Sequence, residues 1–244
     1  MSCIGTQANR PFCGVFRLGE IMVSGYMLRQ LSGWYYDRVL KIVQPWVRRR
    51  RMRQLSLLNL KGGERVIDLG GTCAIWEYVE TPLDITIVNL PGVDVREAGQ
   101  SRHRFHFVTG DATALDYPDD HFDVVFSNSV IEHVGGEQKE RDFAREVRRL
   151  APAYQVQTPS IWFPLEPHTG VPLWWALPRG IRKRIIAGWR TKLPEWSEMV
   201  EGTTVITRRK LRDYFPDAKL ITERVAGIPK SYTAFRPRRE AAAG

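Results

Sequence analysis

The sequence of 244 residues has few cysteines and no long apolar run. Its three cysteines, Cys3, Cys13 and Cys73, are too few for a disulfide framework and lack zinc-ligand spacing. They predict a reducing, cytoplasmic location and no metal site. No apolar stretch approaches the roughly 18 residues that span a membrane, and charged residues interrupt the N-terminal apolar residues, which argues against a signal peptide. The expected organisation is one large globular domain, or a domain with an appended lobe.

The positive charge is distributed unevenly along the chain. The formal net charge is +9, and five arginines lie between residues 46 and 53. Such a run suits nucleic acid, an anionic lipid surface or an acidic substrate. Because it precedes the main fold and no RNA-binding module is recognisable, it favours peripheral contact with an anionic membrane over a nucleic-acid partner. We expect residues 1–60 to form an N-terminal helical lid, with Tyr35 and Tyr36 as candidate substrate-binding residues.

From residue 64 onward the sequence pattern changes to short apolar runs that end in glycine or turn residues. These runs cover residues 64–71, 84–92, 103–111, 122–129 and 153–159. Their continuous apolar character is typical of strands buried on both faces of a parallel sheet. Glu137 to Leu150 has a helical apolar face, and the runs 218–225 and 231–237 flank a short turn. The pattern predicts a Rossmann-like, doubly wound, mostly parallel seven-stranded α/β sheet with an antiparallel edge hairpin.

Residues 158–205 interrupt this alternating pattern and are rich in proline and tryptophan. We interpret them as a lobe inserted into a domain of residues 61–244. Trp162 and Phe163 are candidate substrate-binding residues there. Glu166 and His168 form an acid and histidine pair that predicts a catalytic role, or else pins a proline-rich loop to the sheet.

The motif VIDLGGT at residues 66–72 predicts a ligand site where the first strand ends. In open α/β sheets, ligands bind at the carboxyl ends of the strands. The motif lacks the third glycine of a dinucleotide fingerprint, and no phosphate-loop lysine follows it. Asn89 lies 21 residues after Asp68, the spacing of a ribose-binding side chain. Asp111 ends the third run and is suited to reading an adenine edge.

Together, these segments resemble the class I S-adenosylmethionine-dependent methyltransferases. The resemblance rests on VIDLGGT, on TIVNL, and on VTGDATALDYPDDHFDVVFSNSVIEHV, and it covers roughly residues 60–158. The chain is most similar to a type 11-like bacterial subgroup with an Asp-x-Gly-Gly-Thr turn and a TPxxxFPxEPH segment, which reads TPSIWFPLEPH here. The resemblance implies S-adenosylmethionine as the cofactor. It also implies a set of cofactor-binding residues: Asp68, Gly70, Gly71, Thr72, Asn89, Leu90, Asp111, Ala112, Ser127, Asn128 and Ser129. Trp76, just after the glycine turn, is a further candidate that would cover the cofactor, or else a core residue.

His133 is the candidate general base, since it follows the fourth strand near the expected methyl group and histidine titrates in the useful range. The expected reaction is methyl transfer to a small-molecule, sugar-linked or lipid-linked biosynthetic intermediate. Two alternatives stay open from the sequence. One is a non-methylating use of the cofactor, such as cyclisation of its aminobutyrate part, and the other is RNA methylation.

Overall fold

The computed structural model describes residue 49 and residues 52–93, 100–164, 169, 171, 173–191 and 193–238. The predicted N-terminal lid, with Tyr35 and Tyr36, lies outside the described residues. So do Glu166 and His168. Within the described part, no helix is long and apolar enough to cross a membrane.

Seven strands form one sheet in the order β3-β2-β1-β4-β5-β7-β6. The strands are β1 (Arg65–Leu69), β2 (Asp84–Asn89), β3 (Arg104–Thr109), β4 (Val124–Asn128), β5 (Ala153–Pro159), β6 (Lys219–Val225) and β7 (Ile228–Arg236). Strands β1 to β5 pair in parallel, whereas β7 is antiparallel to both β5 and β6. The predicted Rossmann-like fold with an antiparallel edge hairpin is therefore confirmed.

The helical elements lie around this sheet. Among the described residues they include α1 (Glu137–Leu150), α2 (Arg179–Arg190), α3 (Pro194–Gly202), α4 (Arg208–Tyr214) and 3₁₀ turns at Arg53–Leu58, Cys73–Tyr78, Ile131–His133 and Trp174–Ala176. Helix α1 has the bounds that its apolar period predicts. The crossover from β1 to β2 contains only the short Cys73–Tyr78 turn, which brings Trp76 directly under the sheet.

Strand alternation divides the core between the two faces of the sheet. Ile67 and Leu69 of β1 pack with the side chains of α1 and α4, including Phe143 and Leu211. The intervening Val66 packs on the opposite face with the Arg53–Leu58 and Cys73–Tyr78 turns. Asp68 alternates with Ile67 and Leu69, so its carboxylate points into the face that holds Trp76.

The segment between β5 and β6 contains helices α2 and α3 with a small apolar cluster of their own. Trp174 stacks on Trp189 at a centroid distance of 5.6 Å, and Val171, Ile186 and Val200 complete the buried part of the cluster. At its C-terminal end, Thr204 bonds to the main chain of Glu132, which follows β4. The segment is thus held against the carboxyl end of the sheet. The predicted domain boundaries and the cytoplasmic location stay predictions.

Candidate functional site

The carboxyl ends of β2, β1 and β4 are neighbours at one edge of the sheet. Leu69 pairs with Val88 on one side and with Ser127 on the other. The chain winds in opposite directions from β1 and β4, and the crevice at such a switch point is where open α/β sheets bind ligands.

Both glycines of the turn after β1 are required by close approaches. Gly70 has φ +74°, and a β-carbon there would lie 2.6 Å from Cγ2 of Val130. A β-carbon at Gly71 would lie 1.8 Å from Oδ2 of Asp68. The turn therefore lies directly over the Asp68 carboxylate, and only glycine allows this approach.

Asp68 is fully buried, and the indole Nε1 of Trp76 donates a hydrogen bond of 2.8 Å to its Oδ2. Burial raises the pKa of Asp68 to about 7, although the Trp76 hydrogen bond opposes that shift. Oδ1 has no hydrogen-bond partner among the described residues. A buried acceptor of this kind is costly unless a donor satisfies it, so Asp68 is suited to receive one from a ligand at the turn.

Trp76 lies in the core instead of covering a ligand. Its side chain is fully buried and packs edge-to-face on Phe126 at 5.1 Å. The main-chain oxygen of Trp76 also lies 3.0 Å from Nε2 of His103 and helps to fix that imidazole ring. The direct cofactor contact expected of Trp76 is therefore replaced by an indirect role, in which the indole fixes the orientation of Asp68.

Asn89 ties the end of β2 to the glycine turn. Its Nδ2 donates to the main-chain oxygen of Gly71 at 3.0 Å, which fixes the amide plane. The adjacent Leu90 is 58% exposed. An amide that holds the turn, next to an exposed apolar side chain, is suited to a ribose and the face of an adenine ring.

Asp111 follows β3 and carries a strongly held negative charge. Its Oδ1 accepts from the main chain and hydroxyl of Thr113 at 2.9 and 2.7 Å, and its Oδ2 accepts from Nζ of Lys139 at 2.9 Å. The Thr113 and Lys139 hydrogen bonds lower the pKa of Asp111 to about 2. The neighbouring Ala112 packs against the core. Lys139 lies in α1, and no sequence signal linked it to this carboxylate.

The three residues at the end of β4 have different roles. The Ser127 hydroxyl is fully buried and donates to the Leu69 main-chain oxygen at 3.1 Å, so it joins β4 to β1 inside the sheet. Ser129 has φ +59° and donates to Gln157 Oε1 at 3.1 Å. Asn128 between them is half-buried. Asn128 and Ser129 lie at the crevice, whereas the Ser127 side chain stabilises the pairing of β4 with β1 inside the sheet.

His133 lies in the 3₁₀ turn after β4 and meets the end of α3. Its Nδ1 is 3.2 Å from the hydroxyl of Thr203, and that hydroxyl is 2.8 Å from the main-chain oxygen of Met199. A threonine hydroxyl has one hydrogen, and the shorter contact assigns it to Met199. Thr203 is therefore placed to accept from Nδ1–H of His133.

A small cavity of about 20 Å³ lies beside Glu132, between the end of β5 and the end of α3, and its lining mixes polar and apolar groups. Its polar lining consists of Glu132, Thr158, Ser160, Thr203 and Thr204. Glu132 is buried, and its Oε2 accepts from the Thr158 hydroxyl at 3.0 Å. Trp162 and Phe163 follow Ser160 in a turn, in which Trp162 is exposed and Phe163 is half-buried. Sequence reasoning missed the threonines, because their partners lie far away along the chain.

The pH dependence of stability tests the buried Asp68. Since its pKa is about 7 in the folded protein and near 3.8 when unfolded, the folded state binds the extra proton between these values. Rising pH therefore removes stability over this window. We expect the stability of the wild type relative to Asp68→Asn to fall by about 2–4 kcal/mol between pH 5 and 8, measured by urea unfolding. An equal pH response in both proteins would show that Asp68 is ionised throughout.

One stretch of the chain matches a known protein domain. Residues 68–152 match the family model described as a methyltransferase domain. No curated protein matches the chain. Among solved structures, the chain is similar to the methyltransferase described in complex with the Haloferax volcanii Trm112 methyltransferase activator. The TM-score is 0.50 with 14% identity, over 85% of this chain and 97% of that one. At this identity the likeness shows the fold.

Two further structures have lower scores. The PH0226 protein of Pyrococcus horikoshii gives a TM-score of 0.47 with 17% identity, over 83% of this chain and 91% of that one. A SAM-dependent methyltransferase from Aquifex aeolicus gives 0.43 with 13% identity, over 87% and 97%.

Residues 68–152 thus carry a methyltransferase domain, and the enzyme is an S-adenosylmethionine-dependent methyltransferase with S-adenosylmethionine as its cofactor. The described site fits this cofactor, because the orphaned Oδ1 of buried Asp68 lies under the glycine turn. The narrower resemblance to one bacterial subgroup stays a prediction.

Proposed function

We propose that this enzyme methylates a small-molecule, sugar-linked or lipid-linked biosynthetic intermediate, with His133 as the general base. The observation that carries this proposal is the contact between His133 and Thr203. It joins a candidate base at the end of β4 to the lobe that borders the same crevice.

The residues of the crevice divide between the cofactor and the acceptor. Asp68 and the glycine turn would hold the amino acid part of the cofactor, Asn89 and Leu90 the ribose and adenine, and Asp111 the adenine edge. The bound cofactor supplies an electrophilic methyl group on a sulfonium. The protein must then align the nucleophile with that methyl group, exclude water and remove a proton where the nucleophile carries one.

His133 is suited to that proton removal because of its tautomer. Thr203 is placed to hold the hydrogen on Nδ1, and in that tautomer the lone pair of the imidazole lies on Nε2. A positioned base of this kind contributes when the acceptor atom is a hydroxyl or a protonated amine. It would contribute little to a nucleophile without a proton.

The cavity beside Glu132 has a volume of about 20 Å³, which is room for roughly one water molecule. Its lining mixes polar groups with apolar side chains such as Pro159, Ile161 and Val205. This cavity therefore does not distinguish a sugar-linked from a lipid-linked acceptor, and the test includes both.

The direct test incubates the purified full-length chain with S-adenosylmethionine and pools of sugar-linked and lipid-linked acceptors. We expect S-adenosylhomocysteine to form only when an acceptor is present, together with a product that is heavier by one methyl group. Release of methylthioadenosine without any acceptor would instead indicate cyclisation of the cofactor. Preferential methylation of RNA would also contradict the proposal.

Thr203 is expected to set the tautomer of His133. In Thr203→Val the acceptor for Nδ1–H is lost, so we expect ¹⁵N NMR to show a larger share of the Nε2–H form. We also expect kcat to fall two- to tenfold, since one hydrogen bond contributes about 0.5–1.5 kcal/mol. Thr203→Ser keeps the hydroxyl and should restore both. An unchanged tautomer in Thr203→Val would show that another group orients His133.

A further inference from the structure

The lobe contains a long basic segment without acidic residues. Between Thr169 and Leu193 the sequence has six lysines and arginines and neither aspartate nor glutamate. Five of the six basic residues belong to helix α2. The composition of this segment thus differs from that of α1, where acidic and basic side chains alternate and pair.

Helix α2 separates its apolar and charged residues. Ile186 and Trp189 are buried against α3 and the Trp174–Ala176 turn. Among the basic residues, Arg182 lies over the ring of Trp175 at 5.1 Å, and Arg190 pairs with Glu201 of α3 at 2.7 Å. Both of these therefore serve the packing of the lobe.

The remaining basic residues of α2 have no such structural role. Arg179, Lys183 and Arg184 are exposed, and within the described residues none of them forms an ion pair. Exposed cations without acidic partners gain no stabilisation from ion pairs. They produce a positive surface potential that attracts anionic partners.

Large apolar side chains are exposed on the same lobe. Trp162 is 67%, Leu173 55% and Ile181 46% exposed. The main-chain N–H of Leu173 donates to the oxygen of Pro164 at 2.8 Å, which places Leu173 beside the turn that carries Trp162. Ile181 lies in the first turn of α2 and is followed by Arg184 one turn later on the same side of the helix.

We propose that this lobe docks on an anionic lipid surface through a lipid-facing surface formed by Trp162, Leu173, Ile181, Lys183 and Arg184. Basic side chains attract anionic headgroups, and exposed apolar side chains gain free energy by entering the acyl boundary. A nucleic acid would use the charge but would leave Leu173 and Ile181 without an apolar partner. The combination of charge and apolar exposure therefore favours a membrane.

The functional role of this docking rests on the proposed function, because the lobe that would contact the membrane also borders the crevice. Thr203 and Thr204, at the end of α3, contact His133 and Glu132. A lobe seated on a membrane would bring the crevice close to an acceptor carried in the lipid. It would also assign the membrane contact to α2, whereas the sequence alone pointed to the arginines of residues 46–53.

Vesicle flotation of the full-length chain tests whether the lipid-facing surface binds an anionic membrane. We expect binding to phosphatidylcholine vesicles that contain about 30% phosphatidylglycerol and little binding to pure phosphatidylcholine. Lys183→Glu with Arg184→Glu should lower the bound fraction at least tenfold, since each basic residue near such a surface contributes about fivefold. Ile181→Ser should lower binding severalfold even at high salt, where charge attraction is screened.

The matched control places the same charge change on another exposed helix end. Arg208→Glu with Arg209→Glu on α4 should change binding less than threefold, and thermal unfolding should show both double variants folded. Equal losses in the two double variants would overturn the proposal in favour of general charge attraction. So would preferential binding of a single-stranded RNA in competition with the vesicles. Flotation does not depend on turnover, so the result stands separately from the test of methyl transfer.

Discussion

Replacing His133 with glutamine is expected to lower kcat for methyl transfer by about 100- to 10,000-fold, the range of a positioned general base. Glutamine keeps a polar side chain of similar length but removes the imidazole that accepts the proton. Thr203 would still meet a side-chain amide at this position, so the end of α3 should keep its place. The affinity for S-adenosylhomocysteine should change little, because the substitution leaves every residue proposed to hold the cofactor unchanged.

The pH profile distinguishes a base from a structural histidine. A base that accepts the proton contributes an acid limb to the pH dependence of kcat, so any such limb that belongs to His133 should be present in the wild type and absent in His133→Gln. His106→Gln is the matched control, since His106 is exposed on the edge strand β3 and pairs with Asp84 at 2.7 Å. A wild-type rate in His133→Gln would show that the acceptor atom loses no proton to this side chain.

The sequence predicted those parts of the fold that depend on local patterns. Continuous apolar runs located β1 to β5, and the helical period of Phe143, Val147 and Leu150 located α1. Strand alternation and crossover rules then suffice to assemble the sheet, because parallel strands require long crossover connections and short turns produce hairpins. These signals repeat over many residues, so one unusual residue does not change the outcome.

The site depends instead on single contacts between distant segments. Thr203 lies 70 residues from His133, and Lys139 lies 28 residues from Asp111. Neither of these sequence separations follows from the repeat of apolar residues in a helix or strand. Trp76 illustrates the same difficulty, because its position after the glycine turn agrees equally with a ligand contact and with core packing. Only the three-dimensional structure shows that its indole donates inward to Asp68.

Gly71→Ala is expected to destabilise the protein by about 3 kcal/mol or more, because overpacking a buried site displaces its neighbours. The new β-carbon would lie 1.8 Å from Oδ2 and 2.3 Å from Oδ1 of Asp68. Neither the carboxylate nor the turn can move freely, since Trp76 holds the first and Asn89 the second. The same displacement should weaken binding of S-adenosylhomocysteine, which calorimetry measures.

A double-mutant cycle separates this clash from any general cost of alanine in the turn. In an Asp68→Ala background the carboxylate is absent, so the added Gly71→Ala should cost less than about 1 kcal/mol in urea unfolding. Gly188→Ala in helix α2 is the control, because nothing lies within 4 Å of its added β-carbon. That change should stabilise the helix by roughly 0.5–1 kcal/mol. An equal cost of Gly71→Ala in both backgrounds would mean that the turn requires glycine for another reason than its approach to Asp68.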